Sequence, residues 1–281
     1  MTKKSAASAD IFMGFGFRLS TRMPKSILLR VIIIFHHKTY PTNPFNIKNQ
    51  ELPLSPYLRA MLSEIKAIVL KDLRMEWRQR HALGSVFLYV IASIFVAYMG
   101  FRQIVDVTTW NALFWIIVLF AAFNAAARSF GTETNGRRLY LFTLARPESV
   151  IIGKMIYNAI LLLVMVFASF VFYAMMIGSG PLENADSWSM VAALALGAVG
   201  LAFVLTLVAA LASQTDNNLG LMAILGLPVI LPLLLILLRF SKNAIDGIAW
   251  SVNSLYALQL SAILALSLGL SYILFPYLWR E

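Results

Sequence analysis

Between Leu83 and Trp279 the chain reads as six apolar runs joined by short polar segments, and nothing else in it constrains the fold as tightly. The runs fall at about Leu83 to Phe101, Trp110 to Ala127, Val150 to Ile177, Trp188 to Ala212, Leu219 to Leu238 and Leu255 to Trp279. Each approaches the ~20 residues with which an α-helix crosses a hydrocarbon core. In lipid, only helices or closed barrels satisfy every backbone N–H and C=O internally. Composition agrees, since 60% of the residues are hydrophobic, 13% are charged and the mean hydropathy is +0.77, against roughly 25% charged residues in a soluble domain. The sequence therefore predicts an all-α integral membrane protein with six transmembrane helices.

Residues 1–60 stand apart. They hold nine of the 23 Lys and Arg residues (Lys3, Lys4, Arg18, Arg22, Lys25, Arg30, Lys38, Lys48 and Arg59) against Asp10 and Glu51, and Pro41, Pro44, Pro53 and Pro56 punctuate their end. The run Ile27 to Phe35 is broken by Arg30 and is too short to span. No small-residue cleavage site follows it, which is a poor fit to a secretory signal. Met61 opens a well-patterned helix, so the reading here is that translation starts at Met61 and that residues 1–60 are an upstream extension; a basic disordered tail is the alternative. From Met61 to His81, Leu62, Ile65, Val69, Leu73 and Trp77 recur at helical spacing, with Lys66, Lys71, Arg74, Arg78 and Arg80 elsewhere on the wheel. A basic amphipathic helix of this kind lies in a membrane interface, here as an elbow leading into the first span; a solvated helix packed on its neighbours is the plainer reading.

Charge orients the bundle. With both ends inside, the cytoplasmic segments carry Lys66, Lys71, Arg74, Arg78, Arg80, Arg128, Arg137, Arg138, Arg146, Lys154 and Arg280, and the outer loops carry Arg102, Arg239 and Lys242. The excess of cations marks the cytoplasmic side, which places both termini there. Distributed in this way, the net charge of +10 reads as membrane topology, with no nucleic acid as partner.

The chemistry that is missing narrows function. No Asp, Glu, Lys, Arg or His falls near the centre of a predicted span, where proton relays and ion-coupled transporters place such groups. No Walker A loop exists, because Gly153-Lys154 has Glu148 in place of the first glycine and Met155 in place of Ser or Thr. Cysteine is absent, and His36, His37 and His81 all lie outside the spans, which disfavours direct haem ligation. An intramembrane enzyme is thereby the poorest fit, and energy for transport has to come from a partner. Asn124, Asn158, Thr206 and Gln259 read as interhelical hydrogen-bonding residues, and Ala121, Ala122, Ala125, Ala126, Ala193, Gly197 and Gly200 as close-packing positions. Pro228 and Pro232, in GLPVILP, should bend the fifth span; a hinge there is one reading and a static kink the other.

The polar interval from Arg128 to Lys154 organises the rest. Gly131 and Gly136 interrupt it, and the stretch from Arg137 to Leu144, with Leu141 between, forms a short amphipathic turn. Arg146-Pro147-Glu148 then restarts a helix, with Pro at its first position and Glu in its first turn. The plainer reading is a solvated loop.

At these residues the chain resembles a known family. Ser129-Phe130-Gly131 through Leu144-Ala145-Arg146-Pro147, closing with Gly153-Lys154, is similar to the cytoplasmic loop of ABC-2-type permeases, in which a G-x-L-E-x-L-x-x-x-P run precedes a Lys at the start of the third span. Leu225 to Leu233 is similar to the L-P-L-x-I-P-L run of the fifth helix in CcmB, the permease subunit of cytochrome c maturation. The likeness covers about Met61 to Glu281; Arg138 stands where that family often has Glu. The resemblance implies a bacterial inner-membrane permease with an elbow helix and a cytoplasmic coupling helix, and a separate CcmA-like ATPase that uses the ATP. It further implies CcmC-like and CcmD-like membrane subunits, a CcmE-like haem chaperone and haem as cargo, with no cofactor held by this chain. Gly131, Arg137, Arg138, Leu141, Leu144, Pro147, Glu148 and Lys154 are the expected coupling residues, and Pro228 and Pro232 the expected hinge. The alternatives are an exporter of lipid, drug or polysaccharide and a membrane assembly scaffold without an ATPase.

Overall fold

The computed structural model describes residues 54–78, 80–101, 106–131, 146–213 and 218–278, which are helical almost throughout. They belong to one compact unit, Leu52–Glu281. The helices are α1 (Leu54–Arg78), α2 (Arg80–Gly100), α3 (Val107–Gly131), α4 (Pro147–Ile177), α5 (Ser187–Ala212), α6 (Asn218–Ile245) and α7 (Trp250–Leu278), with one 3-10 turn at Gly180–Leu182. Among the described residues, five stretches are long and apolar enough to cross a membrane: Val107–Ser129, Pro147–Ile177, Ser187–Ala212, Gly220–Ile245 and Trp250–Pro276. The sixth expected span is shorter, because the apolar part of α2 is confined to Gly84–Gly100, about 26 Å of helix against a core of about 30 Å.

Boundaries differ from the expected ones by five residues or more in three places. Helix α1 begins at Leu54, ahead of Met61, since Pro56 sits in the first turn, where its missing N–H has no carbonyl to serve. Helix α6 runs on to Ile245, so Arg239 and Lys242 occupy its last turns instead of a loop; cations there interact favourably with the C-terminal carbonyls. Helix α7 starts at Trp250, five residues ahead of the predicted Leu255. The basic segment 1–53 lies outside the described residues.

Helix α5 is the hub, packing against α3, α4, α6 and α7. Its small residues make this possible. A β-carbon at Gly197 would run into the Trp115 ring, and one at Gly200 would meet Leu233 Cδ1 at 2.9 Å. Ala121, Ala122, Ala125, Ala126 and Ala193 are likewise buried. Polar side chains then pin the fit. Asn158 Nδ2 donates to Thr206 Oγ1 at 2.8 Å, joining α4 to α5. Between α3 and α6, Trp115 Nε1 donates to Ser241 Oγ at 2.9 Å, Ser241 Oγ lies 2.8 Å from Asn111 Oδ1, and Asn111 Nδ2 donates to the Leu238 carbonyl at 2.9 Å. The other two polar residues expected to join helices do not. Asn124 is exposed and bonds back to Phe120 O in its own helix, and Gln259 is exposed on α7. A 3.6-residue period does not by itself say which face of a helix in lipid meets a neighbour.

The far ends of the helices are stitched by an aromatic cluster and a cap. Trp110 and Tyr173 meet edge to face at 4.8 Å, and the Tyr173 hydroxyl donates to the Trp110 carbonyl at 2.8 Å. Trp110 Nε1 in turn reaches the carbonyl of Gly178, whose φ of +110° ends α4 in a conformation open to glycine. Asp186 caps α5, its carboxylate accepting from Ser189 N at 3.2 Å and from the Ser189 hydroxyl, while its own N–H donates to Ala244 O at the end of α6.

Two expectations follow. Gly197→Val should lower the stability of the detergent-solubilised protein by about 1–3 kcal/mol, because Trp115 is held by its bond to Ser241 and cannot swing away. Gly269→Ala, whose new methyl meets nothing within 4 Å, should leave the melting temperature unchanged or raise it; equal effects at the two sites would remove the packing argument. The Ser189 hydrogen bonds hold the Asp186 carboxyl below its ordinary value of 3.8. A depressed folded value stabilises fully above the unfolded one and is lost as pH falls through the folded one. The melting-temperature gap between the wild type and Asp186→Ala should thus be constant from neutral pH down to about 3.8 and close below it.

Candidate functional site

The polar residues converge where α1 meets the start of α4. Helix α4 has 31 residues, about 46 Å, so it exceeds the hydrocarbon core by about ten residues. The surplus is at its N-terminal end, which carries Glu148, Ser149, Lys154 and Tyr157, whereas its last turn, Ala174 to Ile177, is wholly apolar. Arg146 has extended backbone angles ahead of the helix, and Pro147 stands in the first turn with Glu148, as the start signal in the sequence requires.

Helix α1 is keyed to this surplus by a stripe at four-residue spacing. On α1 the stripe is Glu64, Ile68, Asp72 and Glu76; on α4 it is Ser149, Gly153 and Tyr157. Residues four apart form the ridges by which helices commonly interlock. Ser149 Oγ donates to Glu64 Oε2 at 2.7 Å, and the Tyr157 hydroxyl donates to Glu76 Oε2 at 2.9 Å. Between these bonds Gly153 lets the backbones approach, for a β-carbon there would lie 2.9 Å from Ile68 Cγ2. Asp72 is buried, with its Oδ1 at 3.2 Å from Lys71 Nζ. Asp72, Glu76 and Arg128 all lie within electrostatic reach of Tyr157, so the junction brings together both signs of charge.

Lys154 fastens α3 to the same place. It is 3% exposed, and its Nζ donates to the Ser129 carbonyl at 2.8 Å. A lysine bonded to a carbonyl in the last turn of a helix satisfies one of its orphan acceptors and meets the negative end of its dipole. Gly131 is the last residue of α3 and Pro147 the first of α4, so both ends of the central loop are anchored, one through Ser129 and Lys154, the other through Ser149 and Glu64. Any role for Lys154 in coupling is accordingly that of an internal strut.

Of the residues expected to act, Lys154 is bonded within this junction, Gly131 ends α3, and Pro147 and Glu148 open α4. Arg137, Arg138, Leu141 and Leu144, and with them the proposed coupling helix, lie outside the described residues, as do His36, His37 and the side chain of His81. Pro228 and Pro232 are elsewhere, both on the exposed face of α6, which continues unbroken through them. Beside them Gly226 is buried against Phe123. Sequence reasoning missed Glu64, Asp72, Glu76, Ser149 and Tyr157. The signal was present: acids eight and four residues apart, on one face of a helix whose remaining charges are basic.

Gly153→Val should pry α1 from α4 and raise tryptic cleavage within α1, at Lys66, Lys71 or Arg74, by about tenfold, the size expected for an overpacking penalty of 1–2 kcal/mol on a locally opening segment. Gly84→Ala, where nothing lies within 4 Å, is the matched control; cleavage unchanged by Gly153→Val would show that the junction does not depend on that contact.

A comparison with curated proteins returned no match. The model of the CcmB protein family matches residues 63–277, from within α1 to the last turn of α7, and therefore takes in both the junction and the proline-containing helix α6. That family consists of haem-exporter ABC permease subunits of cytochrome c maturation. Because the match covers well over half of the chain, this multi-pass membrane protein belongs to the CcmB family.

Proposed function

We propose that the protein is the non-catalytic transmembrane subunit through which a separate CcmA-like ATPase drives haem delivery, by haem export or by release of a haem-loaded CcmE-like chaperone. In this reading α2 completes a bundle of six crossings in the bacterial inner membrane, α1 is an elbow at the headgroup level and both termini face the cytoplasm. The loop between α3 and α4 docks on the ATPase, with Gly131, Arg137, Arg138, Leu141, Leu144, Pro147 and Glu148 at or beside the contact. CcmC-like and CcmD-like subunits share the assembly, ATP is used by the partner, and haem is cargo.

The observation that carries the proposal is the anchoring of both loop ends to one rod. Helix α4 packs on α1, α2, α3, α5 and α7, and it is tied at its start to Ser129 and to Glu64. A displacement applied to the loop thus reaches the whole bundle through α4, with little play at the junction. Pro228 and Pro232 offer a place for α6 to flex, since each removes a donor from the helical ladder.

Replacing Arg137 and Arg138 by Glu should abolish copurification of the ATPase from detergent-solubilised membranes without loss of folded permease, and should remove stimulated ATP hydrolysis in the reconstituted complex. Copurification that survives the double charge reversal would count against the loop as the docking site. A wild-type complex without stimulated hydrolysis would favour a scaffold.

A further inference from the structure

The charges of α1 are sorted by face. Its acids turn inward, Glu64 and Glu76 to their partners on α4 and Asp72 into the buried junction. Among α1 residues with described side chains, the exposed charged ones are all cations: Arg59, Lys66, Arg74 and Arg78. Large apolar side chains stand out beside them, Leu62 at 61% exposure, Leu70 at 41% and Trp77 at 79%. Near the C-terminal end of the helix Leu70, Leu73, Arg74, Trp77 and Arg78 line a single shallow groove. Its lining is thus two leucines, an indole and two guanidinium groups, with no acid among them.

We propose that this groove binds the headgroup of an anionic phospholipid, with Arg74 and Arg78 on the phosphate and with Leu70, Leu73 and Trp77 on the glycerol and upper acyl chain. Arg74 and Arg78 are one helical turn apart and so project side by side. Guanidinium forks match phosphate oxygens in geometry as well as charge, and an indole favours the boundary between headgroups and hydrocarbon. Charge complementarity chooses the occupant: a zwitterionic headgroup leaves the paired cations uncompensated, while a soluble anion leaves the leucines and Trp77 in water. The proposal rests on the reading that α1 lies at the interface, and it makes the elbow a lipid-anchored fulcrum for α4.

The test uses the full-length chain without its ATPase, so that its outcome is independent of loop docking. The protein is equilibrated with an equimolar mixture of phosphatidylglycerol and phosphatidylcholine in detergent, and bound lipid is counted by native mass spectrometry. The wild type should retain phosphatidylglycerol in clear preference. Arg74→Gln with Arg78→Gln should lower the ratio of the two lipids by about thirtyfold, from the attraction of two basic residues to an anionic surface. Arg74→Lys with Arg78→Lys should restore most of it, and Arg239→Gln, at the far end of α6, should leave it unchanged.

Four results would overturn the proposal. Equal retention of both lipids by the wild type is the first, and it needs no variant to fold. Displacement of phosphatidylglycerol by excess inorganic phosphate would make the groove a site for free phosphate. An Arg239→Gln variant that lowers the ratio as much as the double variant would make the effect one of net charge. A double glutamine variant that keeps its lipid preference would detach that preference from Arg74 and Arg78.

Discussion

Lipid tails cover an apolar surface as well as leucine does, so helices in a bilayer cohere through close fit and through hydrogen bonds rather than through expulsion of water. That constraint explains the composition of α5. Its contact surfaces include Ala193, Gly197, Ala198, Gly200, Ala202, Ala209 and Ala210, all buried, and Gly197 and Gly200 admit the Trp115 ring and Leu233 into space that any larger residue would fill. Four neighbours can then reach one helix. The polar pairs that finish the packing, Asn158 with Thr206 and Trp115 with Ser241, lie on the faces that the small residues bring together.

The same constraint decides where charge is tolerated. An ionised group far into the hydrocarbon costs several kcal/mol, and the protein keeps such groups to the ends of its helices. Arg239 and Lys242 occupy the last turns of α6. Lys154 stands in the second turn of α4, within the length by which that helix exceeds the bilayer, and a carbonyl of α3 receives it. The acids of α1 are held against this surplus rather than against the apolar length of α4. The junction is therefore a polar joint attached to an apolar machine, and its hydrogen bonds fix the register of two helices that apolar contacts alone would leave free to slide.

Much of this is legible in the amino-acid sequence. Five of the six apolar runs become helices long enough to span, the sixth, in α2, falling short, and the roles of Gly197 and Gly200 follow from a surface that needs small residues. Pro147 and Glu148 announce the start of α4 through propensity and dipole alone. What is not legible concerns facing. Asn124 and Asn158 look alike in sequence, yet one bonds within its own helix and the other crosses to α5. In water, a polar residue on an apolar helix marks the outside; in lipid, every face is apolar, and the periodicity that separates inside from outside is weak. Helix α1 shows the reverse difficulty. The apolar series Leu62, Ile65, Val69, Leu73 and Trp77 reads as one face, yet Ile65 is buried with Ile68, from outside the series, while Leu62 and Trp77 are exposed, because the inward face is defined by acids that find hydroxyl partners on α4.

Those acids also bear on how force could pass through the molecule. A joint made only of apolar contacts is short in range and indifferent to direction, so it yields by sliding as readily as by lifting. Hydrogen bonds at two separated points, Glu64 to Ser149 and Glu76 to Tyr157, with Gly153 fitted against Ile68 between them, resist both translation and rotation of α1 on α4. The ridge spacing is the same on the two helices, so relaxation to the next register would require a step of a full turn, about 5.4 Å, with both bonds broken at once. Below that threshold the pair moves as one body. A loop whose two ends emerge from such a body has no slack in which to dissipate a displacement, and that property, more than any single contact with a partner, is what suits this end of the bundle to receive one.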